Sequence, residues 1–202
     1  MRVFIALDID EAIRGRIARF MEGVREFAPD ARWVGEESLH VTLKFVGEKP
    51  ADAVEQIKHA LASVQSGPIE ATLRGYAFFP TAKAARVFWV GIESGPQLAA
   101  LAAAVDDITA TLGVSKEAHA YTPHLTLARG RGGSGAPQWR KGDRPNRSFQ
   151  KLQEKLEALP SPEFGTMTAH EFFLYESRLG AGGARYTKIA GFPLRWAAPI
   201  GV

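Results

Sequence analysis

The feature that most constrains this chain is a phrase it uses twice, Leu39-His40-Val41-Thr42-Leu43 and Pro123-His124-Leu125-Thr126-Leu127. Successive side chains of an extended strand point to opposite faces, so a His and a Thr two apart share one face while the apolar residue between them enters a core. Each copy therefore predicts a strand with one dry and one polar face, the polar face carrying an imidazole beside a hydroxyl. With five His and ten Thr among 202 residues, chance would supply roughly 0.25 His-x-Thr triplets. Two copies in matching apolar context mark a duplicated functional element.

The rest of the chain arranges itself around these two strands. Residues 2–8 read as a strand, with Val3, Ile5 and Leu7 on one side and Phe4 and Ala6 on the other. Asp8 or Asp10 caps a helix striped by Ile13, Ile17, Phe20, Val24 and Phe27, which Pro29-Asp30 ends. The first His strand, 39–46, is expected to turn Leu39, Val41, Leu43 and Phe45 inward and His40, Thr42 and Lys44 to the polar side. A helix striped by Val54, Ile57, Leu61 and Val64 follows, then strands over 69–79 and 85–92. A third helix carries Leu98, Leu101, Val105, Ile108 and Leu112, and the second His strand spans about 122–129.

Residues 130–147 are rich in Gly, Arg and Pro without periodicity and predict a long exposed loop. Phe149, Leu152, Leu156 and Leu159 mark a fourth helix. A β-rich stretch over 164–176, a turn at 180–183 and two short strands near 186–189 and 194–196 complete the chain. This approximate repeat, with one His strand in each half, predicts an α+β fold in a single domain covering 1–202. It has two pseudo-symmetric lobes, each an antiparallel sheet with packed helices, around a central cleft.

Composition narrows the chemistry. The absence of Cys removes disulfides, thiolate nucleophiles and Cys-ligated zinc or iron–sulfur sites. The opening run Val3–Leu7 is too short for a secretory signal and nothing approaches the length of a membrane span, so a cytoplasmic, soluble protein without a membrane partner is expected, and a monomer is predicted with it. Net charge is +3 and the pI about 9.3, a bias toward polyanionic partners. Arg129, Arg131, Arg140, Lys141, Arg144, Arg147 and Lys151 face a single acid, Asp143, directly after the second motif.

Two imidazoles converging on a cleft suit a reaction that removes one proton and delivers another, and two hydroxyls with a guanidinium suit an anion with several oxygens. Hydrolysis of a phosphodiester by a positioned water fits. One neutral His takes the water proton, the other as imidazolium protonates the leaving alkoxide, and Thr42, Thr126 and a basic side chain hold the charged oxygens, with no metal or other cofactor. A two-His metal site is the first rival, but neither motif has an acidic third ligand in a ligand-like pattern. A non-catalytic RNA-binding module is the second, and it has no need of a duplicated His-x-Thr. His59 and His170 lack the motif context, His119 lies close enough to line the cleft, and Tyr121 reads as packing or as a base-stacking ring. Strict alternation puts Arg129 on the face opposite His124 and Thr126, so it joins them only if the strand twists, bulges or ends first.

The two phrases, extended as Leu39–Gly47 and Pro123–Arg129, resemble the paired signatures of the 2H phosphoesterase superfamily, and more closely its RNA 2′,3′-cyclic phosphodiesterases, historically called 2′-5′ RNA ligases. Phe4-Ile5-Ala6-Leu7, Arg32-Trp33-Val34, Val87-Phe88-Trp89-Val90-Gly91 and Leu174-Tyr175-Glu176-Ser177 carry the resemblance across nearly the whole chain. It implies a pseudo-twofold two-lobed fold and metal-free opening of RNA 2′,3′-cyclic phosphate ends to 2′-phosphates, with joining through a 2′-5′ bond as the reverse reaction. It implies His40 as the acid that protonates the O3′ leaving group and His124 as the base that activates water. Thr42 and Thr126 would hydrogen-bond the phosphate oxygens, and Arg129 would supply positive charge. Transfer-RNA halves, free cyclic nucleotides and ADP-ribose cyclic phosphates all carry the ring such an enzyme opens.

Overall fold

A computed structural model describes residues 1–130, 147–180 and 183–196. The first strand, β1 (Arg2–Leu7), is buried on both faces, as its uninterrupted apolar run requires. Helix α1 (Glu11–Val24) follows and buries Ile13, Ile17, Met21 and Val24. Asp10 stands at its N-cap without a side-chain capping bond, and Asp8 instead accepts the Ile9 backbone N–H at 2.9 Å. Next come β2 (Arg32–Trp33), β3 (Val41–Glu48), which His40 immediately precedes, and α2 (Ala51–Leu61). The chain continues through β4 (Ile69–Phe79), β5 (Val87–Ser94), α3 (Pro96–Ala110) and β6 (His124–Arg129), which begins at the second His. Helix α4 (Gln150–Glu157) and strands β7 (Glu163–Ala169), β8 (Glu171–Gly180) and β9 (Gly183–Pro193) complete the described elements. The proposed basic loop, with Arg131, Arg140, Lys141 and Arg144, and the centre of the 180–183 turn lie outside the described residues.

The strands form two antiparallel sheets, ordered β3-β1-β8-β9 and β2-β6-β5-β4-β7. Apart from the short β2, they correspond strand for strand: a His strand, its partner across a helical connection, then two more antiparallel strands. The α+β, two-lobed expectation holds, but the lobes are not the two halves of the chain. The first sheet takes β1 and β3 from the N-terminal part and β8 and β9 from the C-terminal part. Helices cross over as well. Helix α1 connects strands of the first sheet yet packs on β7 of the second, with Phe20 against Phe88 and Phe164, and Arg16 donates to the Phe164 carbonyl at 2.5 Å. Helix α3 connects strands of the second sheet and packs on β3 of the first. Among the described residues the main apolar core runs from Val3 to Leu194, and a smaller cluster of Phe4, Ala6 and Tyr175 lies beside it.

One expectation is refined and one is corrected. The β-rich stretch from 164 is two strands that part at exposed His170 and enter different sheets. The two short final strands are one long strand, β9, with residues 194–196 outside it. The cause is the ladder: β8 offers a full-length partner, and pairing runs from Gly180↔Gly183 to Glu171↔Pro193, so tertiary hydrogen bonding overrides a weak local signal.

Candidate active site

Both His-x-Thr strands depart from strict alternation at the same place. In β3, Thr42 pairs with Ala6 and Lys44 with Ile5, which leaves Leu43 as an extra residue. In β6, Thr126 pairs with Trp89 and Ala128 with Phe88, which leaves Leu127 extra. A bulge of one residue inverts the facing of everything after it. Leu43 and Lys44 both turn inward, as do Leu127 and Ala128, all at most 4% exposed. The residue five after each His then returns to the cleft face: Phe45 beside Phe4 in the first copy, Arg129 in the second. The Val34 N–H donates to the carbonyl of the extra Leu127 at 2.8 Å, which satisfies the bulge.

This corrects the reading of Lys44, which does not share the face of His40 and Thr42. Its side chain is 1% exposed and passes through the back of the sheet to Asp106 of α3 at 2.5 Å, the Ser115 carbonyl at 2.6 Å and Glu117 at 3.3 Å. Burial pushes the Asp106 carboxyl up, but the hydrogen bonds from Lys44 and the Glu117 N–H, with the Lys44 and Lys116 charges, win and hold it below its usual range.

The two imidazoles are held alike. His40 Nδ1 donates to the Ser38 carbonyl at 2.7 Å, and His124 Nδ1 donates to the Thr122 carbonyl at 2.8 Å. A carbonyl only accepts, so in each neutral ring the proton sits on Nδ1 and Nε2 keeps its lone pair. Each ring also leans on a stacked aromatic pair. Phe4, stacked on Tyr175 at 5.1 Å, lies 4.8 Å from His40, and Phe79, stacked on Trp89 at 4.6 Å, meets His124 edge-on at 5.1 Å. Such contacts fix ring orientation at little entropic cost.

Burial is the largest influence on both His and lowers both pKa values, that of His40 to about 4. The backbone carbonyls oppose it by favouring the charged rings, and Arg129 reinforces it at both sites. Asp8 raises His40 and His124 lowers it. The two imidazoles and Arg129, from opposite sheets, thus share one electrostatic environment. Burial lowers Arg129 itself, with Tyr186 raising it and Arg32 lowering it. Thr42 and Thr126 are half-buried, one on the His strand of each sheet.

Beside His40 lies a cavity of about 780 Å³ whose lining includes Asp8, Arg14, Ser38, Tyr175, Tyr186 and Lys188. Asp8 organises it by pairing with both Arg14 and Lys188. Arg14 in turn donates to the Glu36 carbonyl at 2.6 Å, in the turn that carries Ser38. Reading the sequence as a cap at Asp8 missed this cluster, whose members are up to 180 residues apart. His59, His170 and His119 are exposed, and Tyr121 packs against the core. Among the described residues no group of three His, Asp or Glu converges as a metal site, and no helix is long and apolar enough to cross a membrane.

Two antiparallel sheets of matching order each carry one backbone-locked histidine, and the two rings lie close enough for their charges to interact. The profile of the 2′-5′ RNA ligase superfamily matches residues 10–178, and the chain belongs to that family, within the 2H phosphoesterases. The chain is 30% identical over 196 residues to the RNA 2′,3′-cyclic phosphodiesterase of Methanothermobacter thermautotrophicus, covering 96% of this chain and 99% of that one. It is 31% identical to the enzyme of the same name from Methanocaldococcus jannaschii, covering 94% and 98%. Among solved structures, TT0787 of Thermus thermophilus superposes with a TM-score of 0.74 at 27% identity, covering 98% of this chain and 100% of that one.

Proposed function

We propose that this protein is a metal-independent RNA 2′,3′-cyclic phosphodiesterase that leaves a 2′-phosphate. The carrying observation is the pair of His locked through Nδ1, whose Nε2 atoms remain for proton transfer and which both feel the charge of Arg129. Water attacks phosphorus as the base takes its proton, the P–O3′ bond breaks, and the acid protonates O3′. In the family assignment His124 is the base and His40 the acid. Thr42 and Thr126 hydrogen-bond the phosphate oxygens, and Arg129 balances their charge. With an RNA 5′-hydroxyl in place of water, the same proton transfers form a 2′-5′ bond.

In the free protein burial and Arg129 keep both rings neutral at pH 7. An anionic phosphodiester offsets the Arg129 charge, so substrate binding itself favours the one imidazolium that the reaction needs. RNA ends, transfer-RNA halves among them, are the substrate class of this reading, with the protein acting as a cytoplasmic monomer. The cavity beside His40 is roomy enough for one nucleoside, which also admits free cyclic nucleotides and ADP-ribose cyclic phosphate. The test is incubation with a short RNA bearing a 2′,3′-cyclic end in the presence of EDTA, followed by assignment of the product phosphate. A 2′-phosphate is expected; no turnover, or a 3′-phosphate, overturns the reading. RNA retention by His40→Ala and His124→Ala variants, with no turnover by the parent, would instead favour a binding module.

A further inference from the structure

The segment that delivers the second histidine is strapped to the strand that carries the first. Residues 114–123 form neither helix nor strand, so no ladder holds them. At the start of the segment the buried Lys44 ammonium donates to the Ser115 carbonyl at 2.6 Å and pairs with Glu117 at 3.3 Å. The Glu117 N–H donates to Asp106 at 3.2 Å, and Asp106 is itself bonded to Lys44. At the end of the segment the Tyr121 hydroxyl donates to the carbonyl of Thr42 at 3.0 Å. Both anchors therefore sit on β3, one on Thr42 of the first motif and the other two residues beyond it. The next residue, Thr122, supplies the carbonyl that holds His124 Nδ1.

We propose that Tyr121 is a positioning residue. Its hydroxyl, seated on the Thr42 carbonyl with Lys44 anchoring the far end of the segment, sets the placement of Thr122 and through it the tautomer and aim of His124 relative to His40. The strut joins the two half-sites directly and not through the sheets. It works through backbone carbonyls, so neither Tyr121 nor Lys44 needs to touch substrate. The ring packs against the core and the phenol is half-buried. Tyr121→Phe consequently removes one hydrogen bond and leaves the packing in place.

The test combines steady-state kinetics with 15N chemical shifts of the His side chains in Tyr121→Phe. The expected result is a fall in kcat of about tenfold with KM unchanged, because misplacement of a proton-transferring group costs rate before binding. The His124 nitrogen shifts should also move toward a mixture of tautomers while those of His40 stay in place. Unchanged His124 shifts overturn the proposal whatever happens to kcat. Shifted nitrogens with parent kcat overturn it too. The kinetic arm rests on the phosphodiesterase reading, whereas the nitrogen shifts need no substrate, so failure of the reaction assignment and failure of the strut are told apart.

Discussion

The two half-sites share a scaffold and differ in their charge. Each holds its imidazole by a carbonyl two residues upstream, rests it on a stacked aromatic pair and inserts one extra Leu after the motif Thr. The bulge then exposes a different residue in each: Phe45, 58% exposed, in the first and Arg129 in the second. Behind the bulge the contrast reverses, with buried Lys44 in the first and Ala128 in the second. Asp8 favours the charged form of His40, while His124 has Arg129 on its own strand. A duplicated backbone thus gives two imidazoles of like geometry and unlike electrostatics.

The largest effect expected of breaking this comparison comes from the imidazoles. His40→Ala and His124→Ala should each lower kcat by about 10²–10⁴, and the double variant should lose far less than the product because the two act as a unit. Parent-like turnover in either variant removes that His from the mechanism. Next, Arg129→Gln should lower kcat/KM by about 10²-fold. Because Arg129 depresses both His pKa values, both limbs of the pH profile should also move to higher pH. Limbs that stay in place would separate Arg129 from the imidazoles.

A separate effect is expected on stability. His40 has a folded pKa of about 4 against 6.5 for the free side chain, so the unfolded chain binds the extra proton first. The stabilisation is complete above pH 6.5 and is lost as pH falls toward 4, up to about 3 kcal/mol. Urea titrations of the parent at pH 7 and pH 4.5 should show this loss, and His40→Gln should remove most of it. The same slope in parent and variant would locate acid sensitivity elsewhere.

Much of this was legible in the linear chain. The 3.6-residue stripes of Ile13, Ile17 and Val24, or of Leu98, Leu101 and Val105, place helices because one face must be buried, whatever it is buried against. His40 with Thr42 and His124 with Thr126 came out as same-face pairs because the pleat forces a period of two. The same rule failed at Lys44 and made Arg129 conditional. Where a strand bulges depends on the partner strand, and neither β1 nor β5 can be recognised as that partner from local sequence. The cluster of Asp8, Arg14, Tyr186 and Lys188 was invisible for a related reason, since its members meet only when β9 pairs with β8.

What the sequence determined alone was the pair of strands and the functional groups on them, because side-chain alternation and helical periodicity are properties of the local backbone. Which sheet each element joins, the crossing of α1 and α3 between lobes and the turn of Arg129 into the cleft were decided only by tertiary pairing. Register, bulges and packing are relations between distant segments, and their free energies exist only once those segments meet.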